Sequence, residues 1–233
     1  MMRDDRRDRG RYGQGMTSAD PGHALALSYA PPAARAALET LFALDDRLAT
    51  IVRSTREPLV GQMRLTWWHE ALTRLDSAPA PQEPVLQAIA LSVLPGRVSG
   101  TSLAAMTDGW ETLLQAEVDP ATIEAFAIER GGRLFEAASR ILGVEDLRIG
   151  IAGEGWALVD LSRSVTDPSL ANLARSLAHA RFETAFGARW PRAARSLGAV
   201  ALLAQFDNAA AMGGSPGPTR RIARLAWHRL TGY

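Results

Sequence analysis

The chain has 233 residues, 47% hydrophobic and 22% charged, values that suit one soluble globular domain with a full-sized core. Its net charge of +1 supplies no global field to attract nucleic acid. Cysteine is absent and all 26 basic residues are arginine, which excludes disulfides, thiolate catalysis, a lysine Schiff base and a P-loop lysine from this sequence.

Residues 1–22 hold five Arg and four Asp among glycines, with almost no apolar content. They read as a disordered tail, and they lack the apolar segment of a signal peptide. Residues 23–233 read as one helical domain. The first strong helix begins near Pro32, because proline suits a first helical turn. Through residue 53, Ala34, Leu38, Leu41, Asp45, Leu48 and Val52 recur at spacings of three and four. Asp45 therefore lies in the apolar stripe, and Asp46 lies roughly 100° further round. A polar hinge, Ser54 to Pro58, leads to a second helix ending near Leu75. Its stripe is Gly61, Leu65, Trp68, Leu72 and Leu75, with Arg64 and Trp67 on the adjoining row.

Further helices are expected over 83–94, from a cap at Thr101 or Ser102 to 117, and over 120–142 behind the cap Asp119. Gly131-Gly132 lies inside the last of these, at a cost of ~1 kcal/mol per glycine relative to alanine, which implies close packing or a bend beside a cavity. Another helix covers 145–164 and carries Gly150, Gly153, Gly155, Asp160 and Arg163 before the break at Asp167-Pro168. Patterns over 169–188, 191–212 and 219–231 complete the chain. No alternating run reads as a strand, and no fixed repeat suggests a solenoid. The fold class is all-α, a single-domain bundle of six to eight helices. No apolar run reaches the ~20 residues of a membrane span.

Candidate chemistry is sparse. His23, His69, His179 and His228 show none of the spacings of a metal site. The glycines at 150, 153 and 155 follow no strand, so they read as small residues in helix packing rather than a dinucleotide fingerprint. Asp45 and Asp46 are the best acidic pair. They suit either Mg²⁺ holding a diphosphate, or a buried ion pair with an inward arginine such as Arg64. Asp160 and Arg163 stand three residues apart and could pair with each other or face Asp45 across a cavity. Trp67 and Trp68 read as core anchors or as the wall of an apolar pocket. The basic helix at 219–231 reads as docked on the domain, with contact to an anionic membrane surface as the sharper alternative.

Against this background FALDDRLATIV, followed by EPLVGQMRLTWWHEAL, resembles the squalene/phytoene synthase superfamily. FAIERGGRLFEAASRILG and GEGWALVDLSRSV look like two further helices of that family. The resemblance implies a prenyl-synthase fold with a central cavity. It also implies, for active members, Mg²⁺-dependent head-to-head joining of two prenyl diphosphates, with the metal held by two aspartate-rich motifs. On that alignment the first motif falls on Ala49-Thr50-Ile51-Val52-Arg53 and the second on Ser164-Val165-Thr166-Asp167, so most of their aspartates are missing. The pattern resembles a diverged branch that includes bacterial phytoene-synthase-like proteins and mitochondrial complex I assembly factors.

The expectation is a protein without prenyltransferase activity that needs no cofactor and acts by binding a prenyl lipid or a protein of a membrane complex. Its expected place is the cytoplasm, with peripheral contact to the inner membrane. The enzymatic alternative would draw Asp45, Asp46, Asp160 and Asp167 into an unusual Mg²⁺ site, with Arg64, Trp67, Trp68, Gly131, Gly132 and Arg163 lining the substrate pocket. The remaining alternative is a purely structural bundle.

Overall fold

The computed structural model describes residues 21–114, 119–214 and 217–233. They form helices joined by short turns, in the order α1 (Pro21–Ser28), α2 (Pro32–Ser54), α3 (Pro58–Arg74), α4 (Pro84–Ser92), α5 (Gly100–Ala104) and α6 (Met106–Thr112). Then come α7 (Pro120–Phe126), a π-helical segment (Ala127–Gly132), α8 (Arg133–Ile141), α9 (Leu147–Ser164) and α10 (Pro168–Ala185). A short 3₁₀ turn leads into α11 (Arg195–Ala211), and α12 (Pro218–Thr231) follows. No strand occurs among the described residues, as expected for the all-α class.

Local signals explain the starts. Prolines occupy the first turns of α2, α3, α4, α7, α10 and α12, where a missing N–H costs no helical hydrogen bond. Side chains cap several N-termini. Glu83 accepts from Leu86 N, Asp119 from Thr122 N, Asp146 from Arg148 N and Asp167 from Ser169 N.

Four features differ from the sequence reading. The helix expected from Thr101 or Ser102 starts behind Ser99 instead, and Asp76 of the loop after α3 also accepts from Thr101 N at 2.9 Å. The same helix divides at Ala105 into α5 and α6, and its expected last residues, 115–118, lie outside the described residues. The expected helix 120–142 carries the π segment in its middle. The expected N-terminal tail lies outside the described residues up to 20, and α1 already begins at Pro21.

The core centres on α9, which packs against α10 and α11 on one side and against α8 and the π segment on the other. Its glycines are what let neighbours so close. A Cβ on Gly153 would collide with the carbonyl oxygen of Gly131 and with Phe135, while Gly155 faces the ring of Phe182. The small-residue reading of these positions is therefore the structural one, and no nucleotide fingerprint is involved. Among the described residues no helix is long and apolar enough to cross a membrane.

Candidate functional site

Asp45 on α2 is buried to 2% exposure, as the stripe around it requires. A lone carboxylate there would be prohibitively costly, so the fold must bring it a partner. That partner is Arg130, from the π segment. Its Nε donates to Asp45 Oδ1 at 3.0 Å and its Nη2 to Oδ2 at 2.8 Å. Its Nη1 donates to Asp160 Oδ2 of α9 at 2.6 Å. One guanidinium thus bridges two carboxylates from two facing helices.

Aromatic rings close the cluster. The Arg130 guanidinium lies 4.2 Å from the ring centre of Trp110 and 4.6 Å from that of Trp156, distances at which ring faces attract a cation. The Trp110 indole N–H donates to Asp45 Oδ1 at 3.2 Å. Arg53, at the end of α2, adds a longer contact of 3.5 Å from Nη2 to Asp160 Oδ2. Two aspartates and two arginines balance. Burial works against the charge on Arg130, and the neighbouring Asp45 and then Asp160 outweigh it, so its pKa is raised above the ordinary arginine value.

The space beside this cluster is small. Val52, Arg53, Trp110, Phe126, Asp160 and Ser164 help to line a cavity of about 10 Å³, about enough for one water. Where the resemblance implies a central cavity, the space against this cluster is only of that size among the described residues. A surface recess of about 350 Å³ lies elsewhere, between the end of α8 and the start of α9, with Glu136, Arg140 and Asp146 on its rim.

The sequence candidates separate. Asp45 and Asp160 meet, but on Arg130. The expected pairing of Asp45 with Arg64 does not form, because Arg64 is exposed and donates to Thr55 Oγ1 across the hinge at 3.3 Å. Asp160 does not pair with Arg163, whose Nη2 reaches Asp207 on α11 at 2.8 Å. Asp46, one residue on from Asp45, is only half-buried. Asp167 is exposed and caps α10, accepting from Ser169 N and Oγ at 2.7 Å each.

Trp68 is buried and Trp67 is half-exposed, with their rings edge to face at 5.6 Å. Neither lines the small cavity. Gly131 serves close packing against α9, and Gly132 faces the side chain of Glu154. Arg130, Trp110 and Trp156 are the site residues that sequence reasoning assigned no polar role. One signal was present: Phe126, Arg130 and Leu134 share an i, i+4 row, which places an arginine on an apolar face.

The donor set does not suit a Mg²⁺ cluster. Each of its two buried carboxylates already accepts from a guanidinium, and a divalent cation placed there would meet Arg130 and Arg53 at close range. Where the aspartate-rich motifs would continue stand Ala49, Arg53 and Ser164. Among the described residues, no group of three or more His, Asp and Glu side chains is placed to hold a metal ion.

Comparison with known proteins agrees with the helical architecture. No curated protein and no solved structure gives a significant match. The family model for squalene/phytoene synthase matches residues 16–180, well over half of the chain. That span contains α2, α3, the π segment and α9, and with it every member of the Asp45, Arg130 and Asp160 cluster. The chain belongs to the squalene/phytoene synthase family.

Proposed function

We propose that this family member does not transfer prenyl groups and acts by binding a partner, in the manner of an assembly factor. The observation that carries the reading is the position of Arg130 between Asp45 and Asp160. Ionising a prenyl diphosphate requires cations held by free carboxylates, and here the two best-placed carboxylates are the counter-ions of an internal arginine. The cavity beside them, about 10 Å³, has no room for a prenyl chain in this conformation, which favours a protein partner over a prenyl lipid. The outward side of α3 supports the same choice, because Leu59, Met63 and Trp67 are exposed along one helix face.

The test is diphosphate release from farnesyl or geranylgeranyl diphosphate with Mg²⁺ and the purified full chain. The expected result is no release above a heat-inactivated control. Sustained turnover overturns the proposal. A titration with geranylgeranyl thiodiphosphate separates the two kinds of partner: saturable binding without turnover assigns a prenyl lipid, and no binding leaves the protein partner.

A further inference from the structure

The last helix is fastened along one side only. His228 of α12 is fully buried and meets Phe186 and Trp190 edge-on, each at 5.8 Å between ring centres. Arg195 Nη1 donates to the carbonyls of Arg229 and Leu230 at 2.9 and 2.8 Å. Arg189 Nε donates to Thr231 O at 2.6 Å, and Trp190 N to Gly232 O at 2.8 Å. Cationic donors thus hold the C-terminal carbonyls, where the helix dipole favours positive charge. The rotation of α12 about its own axis is set by these contacts.

What that rotation presents outward is apolar. Ile222 is 69% exposed, Trp227 55% and Leu230 75%, and Ala223 and Ala226 lie among them, also exposed. At ~100° per residue these five occupy one arc roughly 140° wide. Arg220 and Arg224 border one edge of the arc and Arg229 borders the other. The helix contains no acidic residue, and Arg221 is turned inward to Asp207 at 2.6 Å.

We infer that this face of α12 is a docking surface for a bilayer that contains anionic lipid. An apolar arc with Arg220 and Arg224 along one edge, and Arg229 at the other with its guanidinium 4.4 Å from the ring centre of Tyr29, matches a membrane surface, with acyl chains below and phosphates at the flanks. A tryptophan inside the arc suits the same boundary, since its indole has an apolar body and a polar N–H. A second copy of the chain is a poor occupant. A symmetric contact would set Arg220, Arg224 and Arg229 against one another with no carboxylate on either helix. The helix lies in the surface plane and holds the domain reversibly. Neither the presence nor the loss of prenyl transfer bears on this surface.

The experiment is flotation of the full chain with vesicles of phosphatidylcholine alone and of phosphatidylcholine mixed with phosphatidylglycerol. The chain is expected to float with the mixed vesicles and to release at high salt. The double variant Ile222→Gln, Leu230→Gln is expected to weaken that binding about tenfold or more, and Arg220→Gln, Arg224→Gln to weaken it and reduce its salt dependence. Arg220, Ile222 and Leu230 are exposed and Arg224 is half-buried, so the melting temperature checks that each variant keeps the fold. Equal flotation with neutral vesicles, no flotation at all, or unchanged binding in both variants overturns the inference. Sedimentation of the lipid-free chain is read alongside. Self-association abolished by Ile222→Gln, Leu230→Gln, without lipid binding, would reassign the face to a second copy and also overturn it.

Discussion

Arg130 and Asp45 meet as a two-point fork, Nε to Oδ1 at 3.0 Å and Nη2 to Oδ2 at 2.8 Å, although 85 residues separate them along the chain. The geometry fixes both planes together, and the third nitrogen is then aimed at Asp160. A site in which charge is matched this closely resists single changes more than coordinated ones.

Arg130→Met should therefore destabilise the fold by ~3–5 kcal/mol, because it leaves Asp45 and Asp160 facing each other in the core without their main counter-ion. The triple variant Asp45→Asn, Arg130→Met, Asp160→Asn should recover much of that loss, since no unpaired carboxylate remains. Urea unfolding of the three proteins measures the difference. A triple variant no more stable than Arg130→Met would show that the ion pairing is not what the core depends on.

Adjacent glycines should respond unequally to alanine. A Cβ on Gly131 would strike the Gly153 carbonyl, so Gly131→Ala should cost ~1–3 kcal/mol or more as the π segment and α9 are forced apart. A Cβ on Gly132 would rest 3.5 Å from Glu154 Cγ, an ordinary contact. Gly132→Ala should leave the thermal midpoint nearly unchanged. Equal effects at the two positions would contradict the close helix contact.

Stability should fall in mild acid through His228. Burial disfavours its charged form, and Arg224 and Arg195 add to the effect, so its pKa is lowered to about 4 from 6.5. Between these values the unfolded chain binds a proton that the folded chain refuses. The contribution is complete above pH 6.5 and is lost as the pH falls from there to about 4. The loss is on the order of 3 kcal/mol. Denaturation midpoints measured across that window should slope for the native chain and flatten for His228→Gln.

Asp167 should behave as a helix cap and nothing more. Hydrogen bonds from the Ser169 hydroxyl and N–H hold its pKa below the usual carboxylate value. Its stabilising effect is therefore present above that value and disappears as the pH falls below it. Asp167→Ala should lower the melting temperature slightly and leave partner or lipid binding unchanged, whereas Asp167→Asn should keep most of the cap.

Whatever depends on neighbours in sequence could be read without coordinates. The burial of Asp45 follows from its place between Leu41 and Leu48, and the starts of α2, α3, α7 and α10 follow from proline and, in two cases, a preceding aspartate. Trp67 and Trp68 show where this stops. Successive helical residues diverge by ~100°, so one ring enters the core and the other leaves it, and both cannot wall one pocket from within. Arg64 is one arginine that the sequence offers as a partner for Asp45. Yet α3 turns that row toward solvent, and the counter-ion comes from a segment far along the chain. The small size of the cavity was equally hidden. Nothing in the spacing of Trp110 and Trp156 links them to each other, and only their convergence on one guanidinium shows what occupies the space.

The π turn at Ala127–Gly132 takes on a second meaning from its position. A π turn carries one residue more than the α turn it replaces, so it acts as a phase shifter between α7 and α8. The row that α7 turns toward α6 and the row that α8 turns toward α9 need not be in step. Arg130 and Gly131 both sit inside the shift. Removing one residue from that turn would rewind the segment by ~100°. The guanidinium and the glycine contact with α9 would then be lost together, even if every side chain in the cluster were kept.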